Sequence, residues 1–211
     1  MNVAQPLEQG LAELNLPLPA AAREKLVGYL ALLQKWNKVY NLTAVREPRK
    51  MLGHHLLDSL AVVPRVTGTK LLDVGSGGGL PGIPFAIALP RVHVTLLDSS
   101  HKKTAFLKQA AIELGLENVT VVAERAEAWD TAQRFDLVVS RALTDLPEFV
   151  RLAGRLVAPG GALAAMKGVY PHEELTQLPA GWTVKEVAAI EVPGLRAARH
   201  WVRVEAAAER A

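Results

Sequence analysis

The sequence predicts an α/β fold: a mostly parallel sheet with helices on both faces, an antiparallel C-terminal edge, and a helical extension before the first strand. Three observations lead there. Apolar residues recur at helical spacing through roughly the first third of the chain. From Lys70 the period changes to short apolar runs separated by helical stretches. After the fifth such run, two strand-like segments follow each other with only a loop between them. With 211 residues, 50% of them hydrophobic, the chain can bury a full core without cross-links.

Leu7, Leu11 and Leu14 share a helical face before Pro17 and Pro19 break the chain. Leu26, Tyr29, Leu30, Leu33 and Trp36 mark a longer amphipathic helix. A third helix begins at Pro48, whose fixed φ and missing N–H suit a first turn; it presents Met51, Leu52, Leu56, Leu60 and Val63 and ends at Pro64. The Thr67–Lys70 turn separates a helical region, 1–69, from a sheet domain, 70–211, and the two are expected to pack as one globular unit. Strands are predicted at Lys70–Val74, Val92–Leu97, Val119–Ala123, Phe135–Ser140 and Ala162–Met166, with a helix over Lys102–Leu114 stopped by Gly115. Trp182–Val192 and His200–Ala206 make the antiparallel pair, and the tail Ala206–Ala211 is expected to fray.

Composition removes several kinds of chemistry. The chain has no cysteine, which excludes disulfides, thiolate metal sites and cysteine nucleophiles. Its apolar runs fall short of the roughly 20 residues that span a bilayer. Met1–Gly10 carries one acid, Glu8, and no lysine or arginine, unlike a secretory signal, so a cytoplasmic protein is expected. The net charge of +3 names no partner, but between Arg23 and Lys50 seven bases stand against two acids. That patch is either a solvated helix face or a footprint for RNA, with Lys35, Lys38 and Arg46 as phosphate contacts. Trp36 and Tyr40 lie among these bases and could stack on nucleobases, although their spacing with Leu26, Leu30 and Leu33 sends at least one into the core.

The most specific motif runs from Leu71 to Gly82, where a strand ending Asp73-Val74 enters a loop with Gly75, Gly77 and Gly79. Glycine turns sharply and lets a ligand approach the backbone. Gly77-Gly78-Gly79-Leu80-Pro81-Gly82 formally fits the dinucleotide pattern G-x-G-x-x-G, but that register begins two residues beyond the strand and puts Pro81 in the phosphate-binding turn. Asp73 with Gly75, Gly77 and Gly79 instead gives the D-x-G-x-G-x-G loop of class I S-adenosylmethionine-dependent methyltransferases, a Rossmann-like fold. Asp98 ends the second strand, where an acid can accept both ribose hydroxyls of an adenosine. Ala126 and Glu127, after the third strand, are placed to read an adenine edge, unless Glu127 and Arg125 simply form a surface ion pair.

Across almost its whole length the chain resembles the bacterial ribosomal RNA small subunit methyltransferase G family, also called glucose-inhibited division protein B. The resemblance is carried by Trp36-Asn37-Lys38-Val39-Tyr40-Asn41-Leu42-Thr43, His55-Leu56-Leu57-Asp58-Ser59, the glycine loop, Leu97-Asp98-Ser99, Phe135-Asp136, Ser140-Arg141-Ala142 and Lys167-Gly168. Where the family often has Gly-x-Gly-Phe-Pro-Gly, this chain has Gly-Gly-Gly-Leu-Pro-Gly. The resemblance implies N7 methylation of a guanosine in 16S rRNA, with S-adenosylmethionine held at Gly75, Leu80, Ala126, Glu127 and Arg141. The implied partner is 16S rRNA or the small ribosomal subunit, and a monomer is expected.

The residues narrow the acceptor independently. Pyrimidine C5 methylation commonly needs a cysteine, and there is none. Exocyclic-amine methylation typically uses an Asp/Asn-Pro-Pro-aromatic turn where this chain has Ser140-Arg141-Ala142-Leu143, and ribose methylation wants a lysine–aspartate arrangement that is missing there. Guanine N7 has an in-plane lone pair and no proton to lose, so no catalytic acid, base or metal is named. His54, His55 and Asp58 have metal-ligand spacing on one helix, but local hydrogen bonding of His55 and Asp58 is the expectation. Asn41, Thr43, Arg125, Lys167 and Arg199 complete the candidate RNA contacts, and Arg141 is a candidate for either cofactor or RNA. Two other readings stay open: a nicotinamide-dependent oxidoreductase, and a non-catalytic RNA-binding module on the same fold.

Overall fold

Four consecutive residues, Leu71 to Val74, are buried, because β1 (Lys70–Val74) lies mid-sheet with both faces covered. In the computed structural model, which describes residues 3–141 and 143–207, β1 pairs in parallel with β2 (His93–Leu97) and β4 (Phe135–Arg141). The strand order is β3-β2-β1-β4-β5-β7-β6, with β3 at Val119–Val122, β5 at Val157–Lys167, β6 at Trp182–Ala189 and β7 at His200–Ala206. The first five strands are parallel; β7 is inserted between β5 and β6 and runs antiparallel to both. Order reverses beside β1, so the crevice at the carboxyl ends of β1 and β4 is the place where such a sheet takes a ligand.

Side chains alternate across the sheet. Leu71, Val94, Leu96, Leu137, Val139 and Trp201 enter one core together with α1 (Ala4–Glu13), α2 (Ala20–Tyr40), α5 (Gly82–Ala88) and α6 (His101–Glu113). Leu72, Val74, Val138, Leu163 and Val202 enter the other, with α7 (Leu146–Ala153). Gly115, with φ +57°, stops α6 as expected.

The predicted strands are found, with shifted ends. β5 begins at Val157, not Ala162, because Val157 already pairs with Phe135 across a register shift, and within that stretch Gly161 lies so close to β4 that a Cβ would come within 2.9 Å of the Phe135 carbonyl. β6 stops at Ala189, short of Val192. The third helix starts at Pro48 but is not regular: α3 (Pro48–Met51) opens into a π-helical segment, Leu52–Leu57, before α4 (Asp58–Leu60), and Pro64 sits in a separate 3-10 turn, Val63–Arg65. Ala206 closes β7 and the Ala207 N–H donates to the Gly181 carbonyl, so those two are not frayed; residues 208–211 of the expected tail, and Ala142 of the β4 motif, lie outside the described residues.

Several polar contacts tie the helical region to the sheet. The buried Tyr29 hydroxyl donates to the Gly78 carbonyl at 2.5 Å, Arg65 pairs with Glu186, and Arg203 donates to Thr67. Asp136 Oδ2 accepts the N–H groups of Thr69 and Lys70, which fixes the turn into β1 and holds its carboxyl below the usual range. We propose that 1–69 and 70–211 form one cooperative unit, because one apolar core crosses the division. Urea unfolding followed by far-ultraviolet circular dichroism and by tryptophan fluorescence, which reports Trp36 of the helical region together with Trp129, Trp182 and Trp201 of the sheet domain, is expected to give one coincident transition. A separate early loss of the helical signal would divide the chain.

Candidate active site

Gly75, Gly77 and Gly79 have φ of +70°, +57° and +87°, the left-handed region that side-chain-bearing residues avoid. Every second residue after Asp73 is therefore strained for anything but glycine, the register of D-x-G-x-G-x-G. Gly82 serves packing: a Cβ there would lie 2.2 Å from Leu96 Cδ2. The Gly82 N–H donates to Asp73 Oδ2 at 3.0 Å, whereas Asp73 Oδ1 is buried without a partner. Burial pushes the Asp73 carboxyl up to about 7, against the lowering effect of that N–H. Gly75 and Ser76 both donate N–H groups to the Leu97 carbonyl, fastening the loop to the end of β2.

Two cavities meet at Gly75. One, of about 380 Å³, is lined by Asp98, Lys103, Ala126, Glu127 and Leu143. Asp98 is 6% exposed; its Oδ2 accepts the Gly77 N–H and its Oδ1 the Ser100 N–H, both at 2.9 Å, with Lys103 Nζ 3.6 Å from Oδ2. These bonds orient the carboxylate and leave lone pairs for ligand hydroxyls. Ala126 is buried, while Glu127 both lines the cavity and pairs at 3.6 Å with Arg125 in an exposed ion pair. Arg125 forms that surface pair and lines the same cavity.

The other cavity, about 400 Å³, brings Thr43, Gly77, Leu80, Arg141, Lys167 and Arg199 together. A Cβ on Gly77 would meet only the Gly75 carbonyl, at 3.7 Å, so the space above the loop is open to a ligand. Arg141 Nη1 donates to Asp58 Oδ2 and to the His54 carbonyl, each at 2.9 Å, and Arg199 Nε donates to Asp58 Oδ1 at 2.8 Å. Asp58 is 3% exposed. Of the local hydrogen bonding expected for these two residues, His55 finds its partner in the α2–α3 loop, whereas Asp58 is corrected: it bonds across to the end of β4 and the loop before β7. His55 Nε2 lies 2.8 Å from Thr43 Oγ1, and Thr43 N–H donates to buried Asn37. Burial, reinforced by the positive charge of Arg141, pushes the His55 imidazole down to about 4. Among the described residues no group of three metal-ligating side chains occurs.

The remaining candidates divide. Lys167 lines the cavity but is held by Glu174 at 2.7 Å and by the Thr144 carbonyl. Asn41 and Arg46 bond to each other on the exposed loop after α2, outside the cavity. Lys35 and Lys38 are exposed on α2. Trp36 is half-buried against Phe106, and Tyr40 is exposed. Sequence reasoning missed Asp58 as the bridge between two arginines, although His55-Leu56-Leu57-Asp58-Ser59 had marked the segment; partners 83 and 141 residues away leave no local signal.

Strand order, glycine loop and the acid ending β2 define the class: an S-adenosylmethionine-dependent methyltransferase of class I. The same fold occurs in the glycopeptide N-methyltransferase MtfA complexed with S-adenosylmethionine (TM-score 0.58, 15% identity, 72% of this chain and 87% of that one) and in a DhpI–S-adenosylhomocysteine complex (TM-score 0.57, 17% identity, 89% and 98%). The family model described as rRNA small subunit methyltransferase G matches residues 22–202. Proteins of that name from Laribacter hongkongensis and Nitrosospira multiformis are 58% and 53% identical, over 97% and 99% of this chain and 99% and 100% of theirs. The chain belongs to the rRNA small subunit methyltransferase G family. Neither the nicotinamide-dependent reading nor the non-catalytic one finds support in these relatives.

The two shifted groups affect stability with opposite sign. His55 binds its proton more weakly folded than unfolded, so it contributes stability that is lost as pH falls from about 6.5 to 4. Asp73 binds its proton more tightly folded, so it lowers stability as pH rises from about 4 to 7. Each is worth on the order of a few kcal/mol. Relative to the wild type, the change in urea midpoint from pH 7 to pH 4 is expected to be more favourable for His55→Gln, which loses a destabilising protonation, and less favourable for Asp73→Asn, which loses a stabilising one. Parallel curves for all three proteins would refute both assignments.

Proposed function

We propose that the protein binds S-adenosylmethionine across Gly75 and methylates N7 of one guanosine in 16S rRNA, as a cytoplasmic monomer. The observation that carries this is the meeting of two unlike cavities at the glycine loop. On one side Asp98, Ala126 and Glu127 suit an adenosine; on the other, Arg141 suits the cofactor carboxylate and Arg199 the target nucleotide. Among the described residues no helix is long and apolar enough to cross a membrane.

When bound, the cofactor supplies a methyl group on a positively charged sulfur. The protein's part is to hold the two partners in line, which alone removes much of the barrier by effective molarity. No residue has to take a proton, because guanine N7 carries none. The one carboxylate lining the second cavity among the described residues, Asp58, has both oxygens engaged by guanidiniums. Arg141 grips an anion better than it reads the guanine edge, since a bidentate arginine on O6 and N7 would cover the reacting atom.

Incubation with labelled cofactor, naked 16S rRNA and small subunits is expected to place the label on N7 of a single guanosine, unchanged when prefolded RNA is assayed with chelator. Label on an exocyclic amine, a ribose or a pyrimidine carbon would overturn the reading.

Asp98→Ala and Arg141→Ala are each expected to weaken S-adenosylhomocysteine binding by about 1.5–3 kcal/mol, as loss of charge-assisted hydrogen bonds does, a 10- to 150-fold rise in Kd of roughly that order. Arg141→Lys should recover little, because the planar fork is lost. Calorimetry on the folded variants checks this; unaltered cofactor affinity would remove the residue from the cofactor site.

A further inference from the structure

Seven large apolar side chains are exposed among the described residues, and five of them, Val39, Tyr40, Leu143, Val169 and Tyr170, lie on segments bordering the cleft. Val39 and Tyr40 end α2, immediately before Leu42 and Thr43, which line the second cavity; Val169 and Tyr170 follow Lys167 and Gly168, which line another of its walls. Of the three tyrosines, Tyr29 is buried against the glycine loop, while Tyr40 and Tyr170 are 42% and 41% exposed.

Both exposed rings are backed by other rings. Tyr40 lies 5.2 Å from Trp36 at an interplanar angle of 31°, and Trp36 in turn rests on Phe106 in the core. Tyr170 lies 4.3 Å from His172 and meets His200 edge-on at 5.6 Å, next to Arg199. A ring held by a neighbour loses little freedom when something flat stacks on its open face. Lys35, Lys38 and Arg46 lie within six residues of Tyr40 in the chain and make that stretch cationic, while beside Tyr170 the arginine Arg199 stands with Lys167 against Glu173 and Glu174. An RNA segment, with its flat bases and negative backbone, matches this combination.

We infer that Tyr40 and Tyr170 are stacking lips for the bases flanking the target guanosine. The inference rests on the rRNA reading above. In a paired A-form helix N7 faces a deep, narrow major groove that side chains do not enter. A guanine methylated within this cleft must leave its stack, and its two neighbours each lose a stacking face. Two rings on the segments that lead into two walls of one cleft would replace those faces and favour the extruded state.

The test uses the full chain and an RNA carrying the mapped guanosine, with 2-aminopurine at each neighbouring position in turn. Tyr40→Ala and Tyr170→Ala are each expected to raise the RNA Kd about 5- to 100-fold, and to abolish the fluorescence change of one neighbouring 2-aminopurine. Tyr→Phe and Tyr→Trp should restore both, and S-adenosylhomocysteine affinity should not move. Folded alanine variants with wild-type RNA affinity and fluorescence would overturn the inference. So would failure of Phe and Trp to rescue, which would mean a hydroxyl contact, or a loss seen only with assembled subunits and never with RNA, which would mean a protein contact. A wild-type protein that transfers no methyl to RNA would sink the rRNA reading itself, a separate outcome.

Discussion

The cleft is organised around one buried carboxylate. Asp58 comes from the helical region, Arg141 from the end of β4 and Arg199 from the loop before β7, and the three meet only because the chain has folded. A carboxylate this deeply buried would cost several kcal/mol if left alone, so removing both arginines is not tolerated electrostatically. Two guanidiniums sharing one negative charge leave a surplus positive charge at the cavity wall, while Lys167 is matched by Glu174. That surplus is what an arriving carboxylate or phosphate would find. The same triad explains why the helical region and the sheet cannot be considered apart: the electrostatics of the sheet edge are set by a side chain from before β1.

A second contact works in the same direction. The Tyr29 hydroxyl donates a hydrogen bond to the Gly78 carbonyl in the middle of the glycine loop, and Leu33 packs under the same glycine. Burial raises the Tyr29 pKa far above its ordinary value, so it remains a donor at any pH the fold survives. The loop is thus held from below by α2 and from β2 by the Leu97 carbonyl, and its upper side stays free. Positioning, the whole of what N7 methylation asks of a protein, is provided by contacts that never reach the reacting atoms.

Much of this was legible in the sequence because it is written in local periods. Alternation and glycine spacing placed β1, β2 and the loop almost to the residue, and Asp98 at the end of β2 follows from strand length alone. The π-helical segment was not legible: Leu52 to Leu57 have ordinary helical periodicity, and the partners of His55 and Asp58, namely Thr43, Arg141 and Arg199, lie outside the segment. The roles of Lys167 and Arg125 were hidden for a related reason. Each pairs with an acid, Glu174 or Glu127, whose proximity depends on loop conformation, not on composition.

The charge distribution has a further consequence for how the two substrates meet. The basic stretch on α2 projects Lys35 and Lys38 into solvent, where their attraction is long-ranged and screened by salt. Arg141 and Arg199 lie inside, partly shielded and fixed by Asp58. Exposed charges of the first kind raise the rate of encounter and carry no choice of nucleotide; fixed, partly buried ones act only after the RNA has surrendered part of its hydration and structure. On the reading proposed above, selection of one guanosine would fall to Arg199 and the shape of the cleft, with Arg141 turned to the cofactor, whereas the exposed lysines would act on any polyanion.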